Sequence, residues 1–192
     1  DSEILLRLYQ RQGLEATLPL LRGEFAFALF DRAEDCLYLV RDRFGIKPQY
    51  WAMTPEGLVF GSELKVLFAH PAVERRFTSE GLFHQLMQTM VPGTTAFAGV
   101  HQVKPGHVLK VQRAQGQLEV SEWSYWDLNF PRKDQRDQSL NEADHVAAVR
   151  AALLEAVELR MVADVPVGCY LSGGIDSCSI LGLASAVSQS PV

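Results

Sequence analysis

The chain has 192 residues, 47% of them hydrophobic and 21% charged, with a formal net charge of −5. That balance fits one folded domain or parts of two, and it excludes disorder as the default state. It gives no basic field for nucleic acid or an anionic membrane, and no apolar run reaches the roughly 20 residues of a membrane span, so neither is an expected partner.

Residues 2–12 carry Ile4, Leu5 and Leu8 at helical spacing, with Asp1 or Ser2 placed as the cap and Gly13 as the stop. From Glu24 to Phe30 the chain alternates, Phe25, Phe27 and Leu29 on one side and alanines on the other. This predicts a strand whose second face is closely covered. A polar turn, Asp31 to Asp35, and a strand from Cys36 to Val40 complete a hairpin. The charged run Arg41-Asp42-Arg43 reads as a turn that pairs internally, with support of a substrate pocket as the alternative. Strands are expected over Gln49 to Met53 and Leu58 to Gly61, then a helix from Ser62 to Ala69 stopped by Pro71. Thr78-Ser79-Glu80 caps a further helix with an apolar stripe of Leu82, Phe83, Leu86 and Met90. Three more strands follow, Gly99 to Val103, His107 to Arg113 and Gln117 to Ser121. Strands in succession with a few helices predict an α+β layered domain over residues 1–128.

Residues 129–141 hold Pro131, five charges and two glutamines with little that is apolar, the composition of a linker. A long helix begins near Glu142 and keeps Val146, Val149, Leu153, Val157 and Met161 on one face. It leads into a short apolar run, Val165 to Leu171, which reads as a buried strand, then Ser172-Gly173-Gly174-Ile175-Asp176-Ser177 and a second helix. Helix, strand, glycine loop and helix open a parallel α/β sheet, expected over residues 142–192, whose ligands sit at the carboxyl ends of the strands. Such a sheet needs more strands than these residues supply, so the sequence is expected to be a fragment.

The glycine loop carries the chemistry. Paired glycines allow close backbone approach, and a loop that opens a helix turns unpaired N–H groups and the positive end of the helix dipole toward an anion. Ser172 and Ser177 add hydroxyls, while Asp176 would repel a bare phosphate unless a divalent cation lay between them, which selects Mg2+ with ATP or pyrophosphate. The common Gly-x-x-x-x-Gly-Lys-Ser/Thr loop is absent. A glycine turn that merely caps a helix is the alternative. Cys36, Cys169 and Cys178 are odd in number without Cys-x-x-Cys spacing, and are expected to be buried free thiols. The five histidines lack metal-ligand spacing. The three tryptophans read as core or domain-edge aromatics. With neither a basic leader nor an apolar signal core at Asp1-Ser2-Glu3, a cytoplasmic location is expected.

The glycine loop resembles the pyrophosphate loop of the N-type ATP pyrophosphatases. Taken with Arg41-Asp42-Arg43-Phe44-Gly45-Ile46-Lys47-Pro48-Gln49-Tyr50, Ser62-Glu63-Leu64-Lys65, Val103-Lys104-Pro105-Gly106-His107 and Asp164-Val165-Pro166-Val167-Gly168, it makes the chain similar to the glutamine-hydrolysing asparagine synthetases. The resemblance implies the C-terminal part of a glutaminase domain of N-terminal-nucleophile type at 1–128, then the beginning of an ATP-pyrophosphatase domain. It implies glutamine, aspartate and ATP as substrates, Mg2+ as cofactor, and a homodimer as the assembly. Leu171, Ser172, Gly173, Gly174, Asp176 and Ser177 would bind ATP and pyrophosphate, Asp176 would meet the Mg2+, and Asp1 would hold the α-ammonium of glutamine or cap its helix. In that family the glutaminase nucleophile is an N-terminal cysteine. Residue 1 here is Asp and no cysteine lies near it, so these residues hold no catalytic nucleophile and are expected to be inactive alone. A relative activating another carboxylate, as the β-lactam-forming synthetases do, and a non-catalytic interaction domain are the competing readings.

Overall fold

The computed structural model describes residues 2–89, 91–135 and 139–188. It divides into two compact units, Asp1–Asn129 and Phe130–Val192, each taken here by itself.

The first unit is built on two antiparallel sheets. One has the order β1-β2-β6-β7, from Ala26–Asp31, Cys36–Arg41, His107–Ala114 and Gln117–Ser124. The other has the order β4-β3-β5, from Gly57–Gly61, Tyr50–Thr54 and Val100–Gln102. The period of two along each strand fixes the layers. Leu37 and Leu39 of β2 and Leu109 and Val111 of β6 pack with Trp51 of β3 and Leu58 of β4, so these faces form a core between the sheets. Tyr38 and Val40 of β2 and Val108 of β6 point the opposite way, onto Tyr9 and Leu14 of α1, Ser2–Thr17. On the far side of the second sheet, Ala52 and Val100 pack with Leu67 of the short helix α2, Leu64–Leu67. Helix, sheet, sheet and helix are the resulting layers, the α+β architecture expected of these residues.

Local signals place most elements where the sequence predicts them. Gly13 breaks α1 at φ 77°, and one more turn follows to Thr17, whose hydroxyl donates to the Gly13 carbonyl at 2.8 Å. Thr78 caps α3, Ser79–Leu86, by accepting from the Gly81 N–H at 3.0 Å. Other expectations differ. The alanine face of β1 is not closely covered: Ala28 is exposed and Phe30 is 57% exposed, because the packing of the three-stranded sheet reaches β2 and β6 but not this edge strand. The α3 stripe of Leu82, Phe83 and Leu86 also faces outward, so its periodicity marks an apolar face without a cover among the described residues. Met90, the fourth member, lies outside those residues. Of the cysteines only Cys36 is buried; Cys169 is half-buried and Cys178 exposed.

Two contacts in this unit give measurable expectations. Gly106 sits at φ 67°, and a Cβ there would overlap the Trp126 carbonyl oxygen. Gly106→Ala is therefore expected to cost about 2 kcal/mol or more, as a fall in the urea midpoint; an unchanged midpoint would contradict this packing. Tyr9 donates its hydroxyl to the Asp31 carboxylate across the α1 to β1 junction. Burial first, then that bond, pushes the Tyr9 hydroxyl from 10.0 up to about 12. Folding thus retains a proton that the unfolded chain has released, so this stabilisation is whole below pH 10.0 and is lost as pH rises to about 12. Tyr125 is also pushed up to about 12 by burial, so Tyr9→Phe is expected to remove only part of the alkaline decline in stability. An unchanged decline would count against the bond.

The second unit has two long helices. Glu142–Arg160, α4, starts in a capping box in which Asn141 accepts from the Asp144 N–H and the Asp144 carboxylate accepts from the Asn141 N–H, both at 3.1 Å. It packs on Ile175–Val187, α5, burying Val157 and Ala184, while Val146 and Val149 stay exposed. The expected strand at Val165 to Leu171 is not formed, and no strand occurs among the described residues of this unit. A strand exists by its ladder, and these residues have no hydrogen-bonded neighbour strand. The parallel sheet is accordingly not seen. No helix of the described residues is long and apolar enough to cross a membrane.

Candidate functional site

The glycine loop lies at the start of α5. Gly174 is the residue before the first helical turn, in extended conformation at φ −77° and ψ 160°, and Gly173 before it takes φ 82°, which an L side chain rarely adopts. A Cβ on Gly173 would meet nothing within 4 Å, so the backbone angle and not crowding demands glycine there. No side chain caps the helix. The N–H groups of its first turn have no intrahelical acceptor and remain available to an anion.

Two hydroxyls close the loop. Ser172 and Ser177 are 3.0 Å apart, oxygen to oxygen, and the Ser177 hydroxyl donates to the Gly174 carbonyl at 3.0 Å. The Ser172 oxygen accepts from the Gly174 N–H at 3.5 Å. Asp176 stands on the first turn, exposed, with no hydrogen bond or ion pair to a described residue. Leu171 is exposed beside the loop. The structure therefore brings Ser172, Gly173, Gly174, Asp176 and Ser177 together on one short arc, with donors and one uncommitted carboxylate. No cluster of three or more metal-ligating side chains occurs among the described residues. Asp176 alone fits Mg2+ in the way that ion is usually held, by one or two carboxylates with phosphate oxygens and water completing the shell. The other site residue expected from the sequence, Asp1, lies outside the described residues.

A second constellation occupies the first unit, where the sequence reads as an internally paired turn, with support of a substrate pocket as the alternative. Arg41 and Asp42 are 5% and 1% exposed, and they do not pair with each other. The Asp42 carboxylate accepts from the backbone N–H groups of Phe44, Ile46 and Lys47 at 2.9 to 3.1 Å. The Arg41 guanidinium donates to the carbonyls of Lys47, Val103 and Gly45 at 2.8, 2.9 and 2.6 Å, and to Gln102 Oε1 at 3.2 Å. Burial pulls Arg41 below its ordinary value, with the Asp42 charge opposing that shift. The Tyr125 hydroxyl donates to the Arg41 carbonyl at 2.9 Å, and the Gly106 N–H to the Asp42 carbonyl at 2.9 Å. One charged dipeptide thus ties the ends of β2, β5 and β7 into a rigid knot. The sequence signal that could have found it is Gly45 three residues after Asp42, the spacing of a tight turn around an acidic side chain, and in the structure that glycine takes φ 64°. The tryptophans hold to expectation: Trp51 stacks on His101, Trp123 meets Tyr38 edge-on, and Trp126 lies against Phe44.

With this geometry in view, two family models match the chain. One, described as a glutamine amidotransferase domain, covers residues 1–126, and one described as asparagine synthase covers residues 148–192. Among curated proteins, amidase chry2 of Gibberella zeae is 40% identical over 186 residues, which are 96% of this chain and 26% of that protein. The glutamine-hydrolyzing asparagine synthetase 3 of Bacillus subtilis is 34% identical, over 96% of this chain and 29% of its own. The human glutamine-hydrolyzing asparagine synthetase is 30% identical, over 92% of this chain and 30% of its own. The chain spans 26% to 30% of the length of these relatives. Among solved structures, the B. subtilis glutamine phosphoribosylpyrophosphate amidotransferase complexed with ADP and GMP aligns at a TM-score of 0.43 and 17% identity, over 97% of this chain and 38% of that one.

Proposed function

Because the chain belongs to the family of glutamine-hydrolysing asparagine synthetases, we propose that the protein carrying it is an ATP-dependent ligase that turns a carboxylate into an amide. The observation that carries this reading is the arc from Ser172 to Ser177, with open N–H groups, two hydroxyls and an uncommitted carboxylate at the start of α5. A carboxylate oxygen is a poor leaving group, and transfer of AMP cures that. The acid's oxygen attacks the α-phosphorus of ATP, pyrophosphate departs, and ammonia then attacks the acyl carbon and displaces AMP. Leu171, Ser172, Gly173, Gly174 and Ser177 would hold the departing pyrophosphate, with Asp176 on a Mg2+ whose charge offsets that of the phosphates. Glutamine would supply the ammonia through the family's N-terminal cysteine, whose own α-amino group serves as base, and Asp1 would bind the glutamine α-ammonium.

Aspartate is the acid we assign, which makes asparagine the product. A second reading, another acid on the same machinery, stands beside it because identity is higher to a protein named amidase, at 40%, than to the named asparagine synthetases, at 34% and 30%, so likeness to the synthetases does not by itself fix the acid. Supplying the full-length protein with Mg-ATP, 15N-ammonium and either aspartate or a panel of other acids separates the two. Labelled asparagine supports the first reading and a different labelled amide the second. ATP binding without an amide from any acid would sink both and leave an interaction domain with a relic loop.

A further inference from the structure

The Arg41 knot adjoins a cavity of about 220 Å³ within the first unit, between α3, the turn around Val91 to Thr95, and Pro105. Its lining includes Arg41 and His84 but no Asp or Glu. Arg41 is almost wholly buried, and no described carboxylate forms an ion pair with it. Asp42, next in the chain, commits its carboxylate to three backbone N–H groups and does not line the space.

The wall carries N–H donors without a described acceptor. A guanidinium has five N–H groups, of which four are engaged, leaving one on Nη2. Gln102 gives its oxygen to Arg41, while neither its amide nitrogen nor the Gln85 side chain has a partner among the described residues. The hydroxyls of Thr89, Thr94 and Thr95, by contrast, donate to the carbonyls of His84, Val91 and Val100. Phe44, Val91 and Pro105 contribute apolar wall. A buried cation, amide donors and apolar sides together suit a group that is anionic at one end and aliphatic at the other. The volume is below the roughly 300 Å³ at which pockets for drug-sized ligands begin, so the guest has only a few carbons.

We propose that this cavity binds the carboxylate of a small aliphatic acid, its oxygens on Arg41, Gln102 and Gln85 and its chain against Phe44 and Val91. Neither ATP nor the glycine loop takes part, so the site stands or falls separately from the ligase reading. The test is equilibrium dialysis of labelled butyrate against the full-length protein at fixed ionic strength. Butyramide and inorganic phosphate serve as competitors, and the variant is Gln85→Glu, an isosteric change on an exposed helix position that sets a carboxylate at the cavity wall. Saturable binding, weakened roughly tenfold or more by Gln85→Glu and not displaced by butyramide, is the expected result. No saturable binding, binding indifferent to Gln85→Glu, or displacement by phosphate as effective as by butyrate itself would overturn the site.

Discussion

Asp42→Ala is expected to lower the stability of the first unit by about 3 kcal/mol or more, because three backbone N–H groups lose their acceptor at a position 1% exposed. The turn from Asp42 to Lys47 is wrapped around that carboxylate, and Arg41 holds the same turn from the other side through the Gly45 and Lys47 carbonyls. Loss of one half therefore loosens the other. For a unit of this size the midpoint of thermal unfolding falls by about 10 °C. Tryptophan fluorescence reads it cleanly, since Trp51, Trp123 and Trp126 all lie in the first unit. Asp42→Asn keeps one acceptor oxygen, enough for the Phe44 and Ile46 bonds but not for that of Lys47, and should fall between. Midpoints for all three proteins that coincide would refute the knot as a stabilising device.

Asp176→Ala is expected to do the reverse, leaving stability alone while cutting adenylation by about 100-fold or more. The side chain is exposed and makes no hydrogen bond or ion pair with a described residue, so its removal frees no partner. Its assigned work is to hold a divalent cation against the phosphates of ATP, where a carboxylate is needed for charge and not for packing. Raising Mg2+ should recover part of the rate. A variant that loses melting temperature in proportion to activity would show Asp176 to be a structural residue instead.

How far the sequence reached follows from the range of each signal. The hairpin from Ala26 to Arg41, the Thr78 cap and the start of the long helix at Glu142 are set by residues within a few positions, and each formed close to where it was expected. The arc from Ser172 to Ser177 at the start of α5 was legible for the same reason: glycines, hydroxyls and a carboxylate within six residues of a helix start can be read without tertiary structure. Signals that depend on a distant partner were not legible. Alternation in β1 says that two faces differ but not that the second sheet stops short of Ala28. Apolar residues from Val165 to Leu171 read as a strand, yet a strand needs a neighbour to hydrogen-bond. Arg41 and Asp42 read as a turn paired within itself because adjacent opposite charges suggest an ion pair. Only the fold reveals that N–H groups and carbonyls of the turn from Phe44 to Lys47, with the Val103 carbonyl and the Gln102 side chain beyond it, surround the two charges, which makes burial of both tolerable.

The most direct test of the ligase reading is exchange of labelled pyrophosphate into ATP by the full-length protein, with aspartate present or omitted. Adenylation is reversible and returns label to ATP only when a carboxylate has accepted AMP and pyrophosphate is held in the loop. The account predicts exchange that requires both Mg2+ and the acid and that disappears in Asp176→Ala. Exchange that stays absent with aspartate and with every other acid, from a protein that still binds ATP, would contradict it.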